Sequence, residues 1–300
     1  MSQRRGSRSR GAQERIKFNN SKNLSVFGSS LNTLSEKDKA EINAGVRHIL
    51  SEIGFEQLPK FLECFIDNKT IIKKNNRFCF GLGLIDQCLQ SFNNNVFLHQ
   101  QNRENYLDLS KGNVYFGTGG AAPLILDYER KVYRPSLVKD LLNAARVVDR
   151  LDNLSFFSRP LVLTDIADPH LMDIYTAVIS LSATNKHVMT SVANHKTVKP
   201  LAEVCYLIAG GEDAFRRSPF LSLNINFIIP PLRLDAEACE VMRESVKYGI
   251  PVMANVFGQR GASSPVSIVG SVCQTVAEAL SGLLICWLLD PDSKVICGPR

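Results

Sequence analysis

The chain has 300 residues, 45% of them hydrophobic, and a formal net charge of +6 at pH 7. This length and apolar content predict a true hydrophobic core, in one large domain or in a domain with an appendage. No run of about 18 uninterrupted apolar residues occurs, and the N-terminus lacks the apolar segment of a secretory signal. These features argue against a membrane span or export and predict a cytoplasmic protein.

Most of the positive charge lies at the start of the chain. Residues 1–15, MSQRRGSRSRGAQER, contain five arginines and one glutamate, which is +4 of the +6. Such a segment cannot bury apolar surface, so residues 1–34 are predicted to form a basic, disordered arm. Binding of nucleic acid by this arm is the less favoured interpretation, because residues 1–15 offer no aromatic side chain that could stack on a base.

The cysteine pattern argues against disulfides and zinc sites. The eight cysteines never occur as C-x-x-C, and most stand in apolar runs such as LLICWLL. This pattern is typical of small buried thiols. The role of Cys297, in the terminal VICGPR, is left open. No H-E-x-x-H motif or His/Cys cluster indicates a metal site.

Residues 35–110 are predicted to form an N-terminal α+β subdomain. Ser35 and the acid three positions later resemble a capping box and begin an amphipathic helix. Its apolar face consists of Ile42, Val46, Ile49, Leu50 and Ile53. The following segments give mixed signals, with strand-like RFCF and NVFLHQQ on either side of helix-like LIDQCLQSF.

From residue 111 onward, strand-like and helix-like segments alternate. The strand-like segments are NVYFGTGG, FSRPLVLTD, HVMTSV, FLSLNINFII, PVMANVF and KVICGP, and a helix-like segment follows each of the first five. This succession predicts an α/β protein with parallel strands, arranged either as a barrel or as a doubly wound sheet.

Two observations favour the barrel. In FLSLNINFII one face carries Ser222, Asn224 and Asn226 and the other is apolar, as expected of a barrel strand. An edge strand with one solvent-exposed face would show the same alternation. No G-x-G-x-x-G or G-K-[ST] motif marks a nucleotide crevice. We therefore predict a TIM (β/α)8-type barrel over residues 111–300 that is incomplete, with about six of eight strands, and open, with exposed apolar edges.

The active site of a βα barrel lies where the strands end, and this rule selects the candidate site residues. They are Thr118, Gly119 and Gly120 after the first strand, Asp165 after the second, Ser191 and Asn194 after the third, Asn224 and Asn226 in the fourth, and Asn255 and Gln259 around the fifth. This set is rich in neutral hydrogen-bonding groups and poor in charge, which suits a small uncharged or cationic ligand.

Three further features have two interpretations each. The loop GQRGASSP either binds phosphate or forms a rim around a small molecule, and Pro265 weakens the first because it has no N–H. His195 is either a solvated surface residue, which we favour, or an acid or base. Asp165 either lies near a cation or caps the following helix. His187, at the start of its strand, is predicted to serve stability.

Several blocks resemble the trimethylamine methyltransferase family of corrinoid protein methyltransferases, which includes enzymes that act on glycine betaine. The blocks include VYFGTGGAAPLILD, LIAGGEDAFRRSPFLSLN and GQRGASSPVSIVGSVCQTVAEALSGL, and the similarity runs from about residue 35 to the end. The resemblance implies a TIM barrel that passes a methyl group from a methylated amine to the cobalt of a separate corrinoid protein. It also implies that the chain binds no cofactor itself, and that the cobalamin belongs to the partner.

The trimethylamine enzymes of that family use pyrrolysine in a segment beyond the sixth strand, and that segment is not in this sequence. We therefore expect a fragment of such an enzyme, with trimethylamine or a quaternary amine such as glycine betaine as substrate. The alternative is a catalytically inactive or vestigial barrel that binds methylated amines. A homo-oligomer is compatible with either.

Overall fold

A computed structural model describes residues 26–27, 33–91, 96–110 and 112–299 of the chain. The described α-helices are α1 (Glu36–His48), α2 (Leu82–Ser91), α3 (Val138–Asp149), α4 (Pro169–Ala183), α5 (Val198–Ala209), α6 (Glu212–Arg217), α7 (Ala236–Lys247) and α8 (Ile268–Leu289). The described strands are β1 (Val26–Phe27), β2 (Ile71–Lys74), β3 (Arg77–Phe80), β4 (Phe97–His99), β5 (Tyr106–Asp108), β6 (Asn113–Val114), β7 (Leu124–Asp127), β8 (Val132–Pro135), β9 (Phe156–Ser158), β10 (His187–Thr190), β11 (Leu221–Asn226), β12 (Ile228–Ile229), β13 (Arg233–Leu234), β14 (Val252–Val256) and β15 (Val295–Pro299).

The predicted helices are confirmed, and their ends have local causes. Ser35 and Asp38 form the expected capping box at the start of α1, which continues as a π-helical turn over Ile49–Ile53. The helix-like segment that follows HVMTSV, VKPLAEVCYLIAGGEDAFRR, is divided into α5 and α6 at Gly210, whose φ of 77° is left-handed and ends α5. Glycine takes this conformation with little strain.

The centre of the molecule is a five-stranded parallel sheet. Its strand order is β15-β14-β11-β10-β9, so the five strands of this sheet lie side by side in the order in which they follow each other along the chain. This sequential order differs from a doubly wound sheet, where the order reverses at a switch point. Among the described residues β9 and β15 are the outer strands of the sheet, and no pairing joins them. The α/β class with parallel strands is confirmed.

The two faces of the sheet pack against different elements. Leu221, Leu223 and Ile225 of β11 lie in the large core cluster with apolar residues of α5, α7 and α8. On the other face, Met189, Met253 and Ile296 pack against Leu98 and Leu107 of the β4–β5 hairpin. The predicted alternation in FLSLNINFII is therefore confirmed, because Ser222, Asn224 and Asn226 point away from the helices.

The first two predicted strands differ from the structure. Of residues 113–120 only Asn113–Val114 is a strand, and it pairs antiparallel with β1. The glycine-rich remainder runs beside β9 through a single parallel bridge between Gly117 and Phe156. A Cβ atom on Gly117 would lie 2.2 Å from the Phe156 ring, so only glycine permits this approach. The second strand ends at Ser158, before Pro160, which has no N–H to donate to a ladder.

The segment predicted as an N-terminal subdomain shares its core with the rest of the molecule. Val46, Leu50, Phe55 and Phe80 belong to the same cluster as the helix-facing residues of the sheet. A Cβ atom on Gly45 of α1 would lie 2.9 Å from Sγ of Cys273 in α8, which shows how closely these helices pack. The boundary at residue 110 stays a prediction. The predicted arm lies outside the described residues, except for 26–27 and 33–34.

Helix α8 is the main core helix. It is long and apolar enough to cross a membrane by length and composition. Eleven of its residues are nevertheless buried inside the fold, among them Glu278 and Leu284. Burial in the protein core therefore accounts for its apolar character.

Burial of the cysteines follows the prediction for most of them. All eight are free, and Cys79, Cys88, Cys205, Cys239, Cys273 and Cys286 are buried. Cys64 is exposed and is the exception, while Cys297 is partly buried. Burial raises the pKa of the Cys205 thiol and that of Cys297 to about 12, so both are protonated thiols at neutral pH.

Candidate functional site

A cleft opens at the carboxyl ends of β10 and β11. Its volume is about 360 Å³. The residues that line it are Ser191, Val192, Ala193, Asn224, Ile225, Asn226, Asp235, Glu237, Ala238 and Val241. Three predicted site residues, Ser191, Asn224 and Asn226, thus meet in one cleft. The prediction missed the two carboxylates, Asp235 and Glu237, because they belong to the start of α7 and not to a strand end.

Thr118 is linked to this cleft through Ser158. The Thr118 hydroxyl donates to the carbonyl oxygen of Ser158 at 2.5 Å and accepts from its N–H at 2.9 Å. The Asn224 amide donates to Oγ of Ser158 at 3.4 Å. The glycine-rich segment after β6 is therefore hydrogen-bonded to β9, and Ser158 of β9 is in turn hydrogen-bonded to the polar face of β11.

The remaining predicted residues lie around the cleft or away from it. Asn255 stands opposite Asn226 in the β11–β14 register, so these two amides are neighbours across the strands. Gly119 and Gly120 are exposed, and Cβ atoms there would meet no atom within 4 Å. Asn194 caps a short 3-10 helix by accepting from the Lys196 N–H at 2.9 Å.

The loop of residues 257–267, called the rim loop below, follows β14. Its amide groups are used internally: the N–H groups of Ala262, Ser263 and Ser264 donate to the carbonyl oxygen of Gln259 at 2.9–3.1 Å. A phosphate cradle requires such groups to point outward. The phosphate interpretation is therefore wrong for these amides. Gln259 itself is exposed and does not line the cleft.

The buried carboxyl group of Glu278 is linked to the rim loop through Gln274. The Gln274 side chain donates to the Ser263 carbonyl oxygen at 2.9 Å and to Oε1 of Glu278 at 3.0 Å. The same Oε1 accepts from the Leu232 N–H at 2.9 Å. Oε2 of this fully buried Glu278 has no partner among the described residues. Burial raises the pKa of Glu278, with the two hydrogen bonds acting in the opposite direction.

Asp165 caps a helix, but not the one that follows it. Its carboxylate oxygens accept from the Val138 N–H, each at 3.2 Å, at the start of α3. The following helix, α4, is capped by Asp168. Asp165 is exposed and does not line the cleft. The expectation that it caps the following helix is therefore wrong, because the irregular chain after β9 brings it back to α3.

His195 has a carboxylate partner. Its N–H donates to Oε1 of Glu237 at 2.7 Å, and its Nδ1 lies 2.8 Å from the same oxygen. Its side chain is 29% exposed, so His195 is partly solvated and also paired with a carboxylate. Glu237 is the second residue of α7. The sequence did not indicate its contact with His195, since the two residues are 42 positions apart.

His187 lies at the start of β10, as predicted. It is fully buried, with Nε2 3.0 Å from Oγ of Ser222 and Nδ1 2.9 Å from the carbonyl oxygen of His99. Burial lowers its pKa to about 4, so the ring is neutral at physiological pH. Its contacts are with β11 and with the β4–β5 hairpin, and they lie at the opposite end of the strands from the cleft.

Comparison with known proteins decides the family. The family model described as trimethylamine methyltransferase (MTTB) matches residues 2–300. The chain belongs to the trimethylamine methyltransferase family. The described residues of this family member contain no group of three or more His, Cys, Asp or Glu that could hold a metal ion.

Individual family members are similar over most of this chain. Trimethylamine methyltransferase MttB of Desulfitobacterium hafniense is 27% identical over 280 residues, which are 91% of this chain and 55% of the relative. MttB of Methanosarcina barkeri is 26% identical over 284 residues, 90% of this chain and 56% of the relative. A glycine betaine methyltransferase of Desulfitobacterium hafniense is 25% identical over 271 residues, which are 89% of this chain and 55% of the relative. The chain thus spans about half the length of these relatives.

Proposed function

We propose that this chain takes part in moving a methyl group from a methylated amine to the cobalt of a corrinoid protein. The observation that carries the proposal is the family match over residues 2–300. The relatives named as trimethylamine and glycine betaine methyltransferases support a methylated amine as the methyl donor. The corrinoid is carried by a separate partner protein and supplies the nucleophile that accepts the methyl group, and we propose that this chain acts in the cytoplasm.

We further propose that the five-stranded sheet is an arc of a TIM barrel. The sequential strand order and the placement of α5, α7 and α8 on one face support this, because a barrel is a sheet wound in one direction with its helices outside. The polar cleft then lies at the active-site end. In this proposal Thr118, Gly119, Asn255 and Gln259 surround the substrate, while Ser191, Asn224 and Asn226 contact it.

The cleft's own residues would bind and orient the amine and keep water from it. A quaternary ammonium leaves as a neutral amine, so transfer of its methyl group requires no proton from the protein. Positioning and exclusion of water then supply most of the catalysis. Amide and hydroxyl dipoles suit a methylated cation, which offers no hydrogen to donate when it is quaternary.

Methyl transfer to a reduced corrinoid protein tests the proposal. The 300-residue chain is mixed with the corrinoid protein and with trimethylamine, glycine betaine and other methylated amines, and cobalt methylation is followed by its absorption spectrum. We expect one amine to support transfer and the Asn224→Ala variant to lose about tenfold or more of the rate. Asn153→Ala, at an exposed position, is the matched control. Binding of an amine without transfer would instead indicate the inactive binding protein.

A further inference from the structure

Glu237 is a carboxylate of the cleft lining that is held through one of its two oxygens. Its Oε1 is held by both the backbone N–H and the Nδ1 of His195, at 2.7 and 2.8 Å. Its Oε2 has no partner within the described part of the chain, and the side chain is 43% exposed. One oxygen therefore fixes the carboxylate, and the other remains available to a ligand.

Glu237 is also ionised at neutral pH. Partial burial opposes ionisation, but the hydrogen bonds from His195 and the nearby charge of Lys196 outweigh it and lower the pKa of Glu237. The second carboxylate of the cleft, Asp235, already accepts the Ala238 N–H at 2.8 Å as the cap of α7. Among the described residues that line the cleft there is no lysine, arginine or histidine. The cleft thus presents amides, a hydroxyl and negative charge.

We propose that Glu237, held by His195, is the counter-ion of the methylated ammonium in this cleft. The inference rests on the proposed function for the identity of the cation. A quaternary ammonium donates no hydrogen bond, so only its positive charge distinguishes it from a neutral molecule of equal shape. A carboxylate close to that charge therefore favours the ammonium over the neutral molecule. Asp165, the carboxylate selected from the sequence, is exposed, caps α3 and lies outside the cleft lining.

A structural role for Glu237 makes a different prediction. An acid in the first turn of a helix stabilises that helix by interacting with its dipole. Glu212 is a matched case, because it lies in the first turn of α6 and pairs with one basic residue, Arg216, at 2.7 Å. A helix-stabilising acid changes stability when it is neutralised, but it does not change the choice between a charged and a neutral ligand.

Binding of choline and of its neutral isostere 3,3-dimethylbutan-1-ol separates these roles without methyl transfer. Calorimetry is carried out at low salt on the 300-residue chain and on the Glu237→Gln, Glu212→Gln and Asp165→Asn variants. We expect the wild type to prefer choline by about tenfold or more. Glu237→Gln should bind both compounds about equally, and its choline affinity should no longer fall with added salt. The other two variants should keep the preference.

Thermal melting shows whether each variant is folded. If Glu237→Gln does not fold, Glu237→Asp retains the charge and should retain a preference for choline, whereas loss of that preference in a folded Glu237→Asp would contradict the proposal. A Glu237→Gln protein that still prefers choline would overturn the counter-ion role and leave the proposed function standing. A wild type that binds neither compound would also overturn the counter-ion role, whereas the proposed function is overturned only when no methylated amine supports cobalt methylation.

Discussion

His187 makes stability depend on pH. In the unfolded chain its imidazole takes up a proton near its ordinary pKa of 6.5. In the folded protein, burial lowers the pKa of His187 to about 4. Unfolding therefore takes up a proton between these values, and stability falls as the pH is lowered through that window. A difference of this size corresponds to about 3 kcal/mol.

The His187→Gln variant tests this effect. Its side chain stays neutral, so the part of the stability loss between pH 6.5 and 4 that is due to His187 should disappear, although the variant can be less stable overall. Urea unfolding at several pH values measures the free energy. His48→Gln, at an exposed position, should keep the wild-type pH dependence. Parallel profiles for wild type and His187→Gln would contradict the prediction.

Glu278 has the opposite pH dependence. Its pKa is raised above the ordinary 4.5 by burial, so the folded protein retains a proton that the unfolded chain has lost. The contribution of Glu278 to stability is fully present below pH 4.5, and it declines as the pH rises through the pKa that Glu278 has in the folded protein. Glu278→Gln keeps an acceptor for Leu232 and Gln274 and has no charge to bury.

We therefore expect Glu278→Gln to be more stable than the wild type at pH 7.5, by about 1 kcal/mol or more, and to lose this advantage near pH 4. Urea unfolding at the two pH values measures the difference. Glu63→Gln, at an exposed position, should show no comparable gain. A Glu278→Gln protein that is destabilised at pH 7.5 would show that the ionised carboxylate supports the rim loop.

At the scale of elements, α8 approaches the sheet at a glycine. A Cβ atom on Gly282 would lie 2.6 Å from Cζ of Phe227 and 3.0 Å from Cβ of Ala254. We expect Gly282→Ala to destabilise the protein by about 1–3 kcal/mol, despite the higher helix propensity of alanine. Gly83→Ala in α2 is the control, since its Cβ meets nothing within 4 Å and the change should stabilise the protein. Urea unfolding of both variants compares the two effects.

Helices were predictable from the sequence because their signals are local. The capping box of Ser35 and Asp38 and the apolar spacing of α8 are visible within a few residues. Strand length was less predictable: the contact of Gly117 with the Phe156 ring depends on residues about 40 positions apart. The β7–β8 hairpin was missed altogether, because it pairs only within itself and lies outside the strand–helix alternation that the sequence shows.

The candidate site was predictable only in part. Ser191, Asn224 and Asn226 could be selected because the rule for strand ends depends on topology alone. Glu237 could not, since its role depends on the crossing of α7 with the turn that carries His195. Asp165 was misplaced because the chain after Pro160 follows no regular element that would fix its direction.

At the scale of the whole molecule, amine binding should not depend on the basic arm. The described residues that line the cleft all lie between 191 and 241. Deletion of residues 1–15 removes +4 and lowers the net charge from +6 to +2. At physiological salt, exposed charges beyond about 8 Å are largely screened, so choline affinity should change by less than about twofold. Calorimetry on the shortened chain measures this, and a tenfold loss would connect the arm with the cleft.

The β4–β5 hairpin packs on the face of the sheet that does not carry α5, α7 and α8. It covers that face near the amino ends of the strands, where His99 meets His187 and Leu98 packs on Met189. Under the proposed function, a small donor enters from the carboxyl end of the strands, which is also where the cobalt of the corrinoid protein would approach. Under the proposed function the two reactants share a single entrance, so steady-state kinetics should show a compulsory order: the amine arrives before the larger protein docks, and its product departs after that protein has left.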